Sequence, residues 1–259
     1  HADKNGGAAK VSSGQLAVEG TRFTGNSALH DAGALILSDA VLLADCEHTP
    51  YFTAANGWPL LFEANTAGLG GGAIRSYSSY ARLSRAAFLS NSAANVGSAV
   101  AFDAGSTFEV VDSLFAENSG SSFASLTVHD STGQVFACTM ICTNGQALEI
   151  RDSVAGVSNS IVRGQYGALG TSGVGHVSID YCNVEGPYPG AHNIDVDPLL
   201  YRNYHLRSGS PCIDKGSVVE DVPDDIDGEN RAGFYDIGCD EFFDTDFDTL
   251  PDIVETGTG

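Results

Sequence analysis

An aromatic-x-x-Asn motif returns along this chain at a nearly constant interval. It appears as Phe23-Thr-Gly-Asn26, Phe62-Glu-Ala-Asn65, Phe88-Leu-Ser-Asn91 and Phe115-Ala-Glu-Asn118, then in degenerate form as Ile141-Cys-Thr-Asn144, with the Asn positions 39, 26, 27 and 26 residues apart. Glycine-small segments precede three of them: Gly6-Gly-Ala-Ala9, Gly71-Gly-Ala-Ile74 and Gly97-Ser-Ala-Val100. A unit this short cannot bury its own apolar face, so repetition requires that successive units stack.

Positions outside the motif extend the pattern. Three residues before each Asn stand Phe23, Phe62, Phe88, Phe115 and Ile141, and continuing the register to Gln165 and Glu185 adds Val162 and Cys182. Eight residues before stand Val18, Leu83, Val110, Phe136, Val157 and Val177. Short apolar segments of four to six residues, bounded by Gly, Ser, Asn or Asp, read as strands and turns rather than helices. Strands stacked about 4.8 Å apart place like residues above one another. The expectation is a right-handed single-stranded parallel β-helix of about seven coils, with the recurring Asn residues as structural turn and ladder elements rather than ligands.

The Gly-Gly-Ala-Ile and Phe-x-x-Asn motifs resemble the polymorphic outer-membrane-protein repeats of bacterial surface proteins, over roughly residues 6–144. A second set, Tyr181-Cys-Asn-Val184, Asn193-Ile-Asp-Val-Asp-Pro198, Tyr204-His-Leu206, Ser210-Pro-Cys-Ile-Asp214, Asp225-Ile-Asp-Gly228, Arg231 and Asp236-Ile-Gly-Cys-Asp-Glu241, is similar to the choice-of-anchor Q module of secreted β-helix proteins. Together these resemblances imply an exported bacterial surface protein with an end-piece closing its β-helix. The division expected is 1–186 for the repeats with an insertion at about 46–59, 187–243 for the end-piece, and 244–259 for an acidic linker. The second resemblance also implies a Cys212–Cys239 disulfide. Cys138 and Cys142, four apart on one strand, are too distant to pair with each other.

Charge narrows the partners. The chain carries 12 Lys+Arg against 33 Asp+Glu, a formal −21, which opposes nucleic-acid phosphates and anionic lipid. Apolar runs fall well short of the ~18 residues of a membrane span, so direct insertion is not expected. Residues 195–259 hold 17 acidic and 4 basic side chains, the composition expected of a solvated acidic cap.

Two regions are candidates for binding. The 39-residue interval places an insertion between Asp45 and Leu60 that contains His48, Tyr51, Phe52 and Trp58, and the next coil adds Tyr77, Tyr80, Arg82 and Arg85. Aromatic faces with nearby Arg suit a glycan or a protein surface. The tail Asp244-Thr-Asp246-Phe-Asp248-Thr-Leu250-Pro-Asp252-Ile-Val-Glu255 places carboxylates at positions 1, 3, 5, 9 and 12 and the Leu250 carbonyl at 7, the spacing of a Ca²⁺ loop, although Phe247 and Thr249 replace the usual glycines. It resembles the Asp-rich calcium repeats that link surface modules to their anchors. No catalytic constellation stands out: Arg151-Asp152 and Arg163 read as outer-face residues. The expectation is a non-catalytic adhesin or scaffold at the cell surface or outside the cell, binding glycan or protein. The alternatives are a β-helix polysaccharide lyase or hydrolase, and a filament subunit in which further copies of the chain stack end to end.

Overall fold

The computed structural model describes residues 2–45, 58, 60–120, 124–188, 190, 192–218, 222–245 and 250–251. The described residues contain strands and no helix, so none contributes a helix long and apolar enough to cross a membrane. Three parallel sheets of seven strands each run the length of a β-solenoid of about six turns, and every coil contributes one strand to each sheet. The first sheet begins with Ala9–Ser12, the second with Gln15–Val18 and the third with Arg22–Thr24. A fourth, short sheet of Ser27–Ala28, Thr66–Ala67, Ser92–Ala93 and Ser119–Gly120 joins only the earlier coils.

Ladders explain the repeat. Phe23, Phe62, Phe88 and Phe115 stack inside the third sheet with ring centroids 4.8, 4.8 and 4.6 Å apart. Beside them Asn26, Asn65, Asn91 and Asn118 form a continuous ladder. Each Asn side-chain amide donates to the next Asn Oδ1 at 2.9–3.0 Å, and the same oxygen accepts the preceding Asn's backbone N–H. The paired glycines have separate causes. Gly71 adopts φ +64°, which favours glycine, while a Cβ on Gly72 would stand 1.9 Å from the Ser98 carbonyl oxygen of the next coil.

After Asn118 the coils shorten. Phe115 pairs with Met140, Met140 with Val162, and Val162 with Val184, intervals of 25, 22 and 22 residues, and the fourth sheet ends. The expected rung positions are therefore corrected: the rungs are Met140 and Val184 rather than Ile141 and Cys182, and likewise Val135 and Ile179 rather than Phe136 and Val177. A slip of one residue turns a side chain to the opposite face. Ile141 and Phe136 accordingly point outward into separate apolar clusters.

The described residues of the 194–242 segment do not lie across the end of the solenoid. They form an irregular strap along the outer face of the third sheet, from Ile194, bridged to Asn183 in the last coil, back to Leu61 near the start. The cause is that both faces of the third sheet are apolar. Phe62, Phe88, Phe115 and Met140 face the core, whereas Leu61, Ala87, Leu114, Ala116, Ile141 and Ile161 face outward. Ile226 and Cys239 cover one part of that outer face, and Leu206, Cys212 and Ile237 another. At the end of the solenoid Tyr188 packs against the core, its hydroxyl donating to the Leu169 carbonyl, beside a cavity of about 350 Å³ bordered by Ile150, Val177 and Ile179.

Candidate functional site

Among the described residues, a dense group of buried titratable side chains lies between strap and solenoid. Segments without regular strands still bury backbone N–H groups, which need acceptors. Here carboxylates supply them. Asp225 Oδ1 accepts from the N–H groups of Asp227 and Glu229 at 2.9 and 2.8 Å, and its Oδ2 accepts from Glu241 N–H at 3.0 Å. Asp236 accepts from Asp214 and Phe242 N–H at 2.7 and 2.8 Å, and Asp240 from Leu206 N–H at 2.6 Å. These acids are buried, which corrects the expectation of a solvated cap.

One guanidinium ties the network to the solenoid. Arg231 donates to Asp112 at 2.8 Å, to Glu241 at 3.1 Å and to the Gly238 carbonyl at 3.0 Å. Asp112 occupies the corner between the second and third sheets, where the backbone turns through φ +42°. Asn159, on an equivalent corner, exchanges hydrogen bonds with Ser217 of the strap. Arg231 by itself does not balance so many buried acids. Burial pushes Asp112 and Asp236 up to about 7, and burial with the neighbouring Asp227 charge does the same for Asp225.

At the other end of the network, His205, Asp227 and Asp240 converge. His205 Nε2 lies 2.5 Å from Asp227 Oδ2 and 3.8 Å from Asp240 Oδ1, with all three residues buried. Burial opposes charge on the imidazole, but Asp240 and Asp227 outweigh it and carry His205 up to about 9. The Trp58 ring stacks on His205 with centroids 5.9 Å apart and planes 8° from parallel. Trp58 thereby packs the insertion's end against the strap.

The other candidates do not form one patch. His48, Tyr51 and Phe52 lie outside the described residues. Tyr77 donates to Asp31 at 3.3 Å beneath Arg75, and burial raises its hydroxyl to about 12. Tyr80 and Arg82 lie on the second sheet, where Arg82 pairs with Glu109 at 2.8 Å and Asp45 at 3.6 Å. Arg85 is buried at a corner beside Asp112, away from any surface ligand. Arg151 pairs with Glu149 and Arg163 with Asp195.

In the acidic tail Asp244 is half-buried and Leu250 exposed, whereas Asp246, Asp248, Asp252 and Glu255 lie outside the described residues. Cys212 and Cys239 are free thiols, correcting the implied disulfide. Cys212 Sγ accepts from Asn183 Nδ2 at 3.2 Å among Ile161, Leu206 and Ile237, while Cys239 packs against Leu61, Ala87 and Leu114. Cys138 and Cys182 are also explained. Their thiols donate to the carbonyls two residues earlier, as the Ser113 and Ser160 hydroxyls do at equivalent corners.

Sequence reasoning missed the strap interface, yet a signal was present. Third-sheet segments such as Leu60-Leu-Phe62, Ala86-Ala-Phe-Leu89 and Leu114-Phe-Ala116 are apolar at consecutive positions, as strands covered on both faces are. Neither a protein-family profile nor a curated protein matches the chain.

Proposed function

We propose that this chain is a non-catalytic surface or matrix protein of an exported kind, a rigid solenoid that presents an outer face to glycan or protein. The observation that carries this reading is the location of the strongly perturbed titratable groups. Asp112, Asp225, Asp236, Asp240, His205 and Arg231 are buried beneath the strap and committed to backbone groups or to one another. A catalytic acid or base has to reach substrate.

The face assigned to a partner in this reading is the corner between the first and second sheets. There Ser106, Thr107, Asp130, Thr132 and Asp152 line a groove of about 230 Å³. Hydroxyls and carboxylates in a row suit the hydroxyl groups of a neutral glycan and repel an anionic one. A glycan and matrix-protein array on the intact chain, run with an assay for degradation products, tests the proposal. Binding without products, weakened by Asp130→Ala with Asp152→Ala, is the expected result; released oligosaccharides would place the chain among the lyases or hydrolases. The acidic tail is proposed to take Ca²⁺, and a calorimetric titration lost in Asp246→Ala with Glu255→Ala is its test.

A further inference from the structure

We propose that His205, Asp227 and Asp240 bind one first-row divalent cation of the zinc class, which staples three separate parts of the strap together. The three side chains offer ligand atoms within 4.8 Å of one another, and none is exposed. They come from distant stretches of the strap: beside the Leu200–Leu206 bridge, in the turn following Asp225, and next to Cys239. A second observation points to a ligand. Asp227 Oδ2 meets His205, but Oδ1 of the same carboxylate is fully buried without a hydrogen-bond partner. A buried polar atom in this condition calls for a water or an ion.

The donor set selects the ion. One imidazole nitrogen with two carboxylates suits zinc and its first-row neighbours, whereas Ca²⁺ and Mg²⁺ prefer oxygen throughout. Charge balances as well. Two carboxylates with a neutral imidazole carry −2, which one divalent cation cancels in a place where excess charge is poorly solvated. On binding, the proton between His205 Nε2 and Asp227 Oδ2 leaves to solvent, as metal binding to protonated ligands requires. The 2.5 Å contact then opens toward the roughly 3.3 Å that separates two ligands of a tetrahedral ion with bonds of about 2.0–2.1 Å, and Asp240 Oδ1 already stands 3.8 Å from the nitrogen. The Trp58 ring stacked on His205 limits rotation of the imidazole. Because the site is sealed, the ion enters as the strap folds.

The test uses the intact chain refolded with Zn²⁺ and then freed of loosely held metal by gel filtration. About one zinc per chain is expected, with a lower melting temperature after chelation and, in the Co²⁺-loaded form, the visible absorption of a nitrogen-oxygen tetrahedral site. His205→Gln should reduce retained metal about tenfold or more with the far-ultraviolet β signal intact. Asp240→Asn, whose side-chain oxygen still accepts from Leu206 N–H, is the second variant and should behave likewise. Three results overturn the proposal: no metal retained by the folded wild-type chain, retention equal to wild type in both variants, or a thiolate-to-cobalt charge-transfer band that assigns the ion to cysteines.

Discussion

In the solenoid, backbone N–H groups are met by carbonyls and by Asn, Ser and Cys side chains of the adjoining coil; in the strap many are met by buried carboxylates. Both regions face the same requirement, since buried backbone must be paired. Repetition lets one coil serve as the partner of the next, at no net charge. An irregular segment has no such neighbour, and its acceptors bring negative charge that Arg231 offsets only in part. The solenoid is therefore expected to respond to lost packing and ladder groups, and the strap to lost charge balance and to pH.

The largest effect expected is from Arg231→Met. It leaves Asp112 and Glu241 buried without their cation, and breaking a buried pair from one side costs about 3–5 kcal/mol. Urea unfolding should register the loss, and limited proteolysis should cut the strap while sparing the coils. Uniform digestion of both regions would break the comparison.

In the solenoid, Asn91→Ala removes the acceptor for Asn65 and the amide that donates to Asn118 and the Phe62 carbonyl. Each buried group left unpaired costs about 1–3 kcal/mol, so the melting temperature should fall, with a pH dependence unchanged from wild type.

The pH response belongs to the strap interface. Burial holds Asp112 and Asp236 at about 7 in the folded chain, well above the ordinary 3.8 of a carboxyl group. Each binds its proton more tightly when folded, so the stability it contributes is complete below about pH 4 and lost as pH rises through about 7. Calorimetry between pH 5 and pH 8.5 should show the melting temperature falling, and Asp112→Asn should flatten the curve. A slope as steep in that variant would remove Asp112 as a source.

Smaller effects distinguish contact from decoration. Trp58→Ala removes a stacked ring worth about 0.5–1.5 kcal/mol, and the loss should appear as faster proteolysis of the strap. Arg82→Gln breaks a partly exposed pair with Glu109 and should cost about 0–1 kcal/mol, a change near the limit of a denaturation curve. A larger loss there would give the second sheet's outer face a structural weight that its geometry does not suggest.

Local repetition made the solenoid readable. The Phe and Asn rungs through Asn118 stand where their spacing places them, because each coil copies the contacts of the previous one and a sequence interval translates directly into a stacking distance. Reading failed first where coil length changed. Nothing local announces that Phe115 pairs with Met140 rather than Ile141; the shorter coils lose the fourth sheet, and only the hydrogen-bonded register counts the missing residues.

The candidate site was legible as residues but not as a place. The motif holding Asp225, Asp227, Arg231, Asp236, Asp240 and Glu241 is evident in the sequence, and its acidity by itself suggests solvent. Its burial depends on a contact across 119 residues, Arg231 with Asp112, and on the outward apolar face of a sheet whose strands are spread through the chain. Composition and spacing determine what a coil stacks upon. Which surface an irregular segment covers is set by long-range complementarity of shape and charge, and that exists only once the solenoid has formed the face it covers.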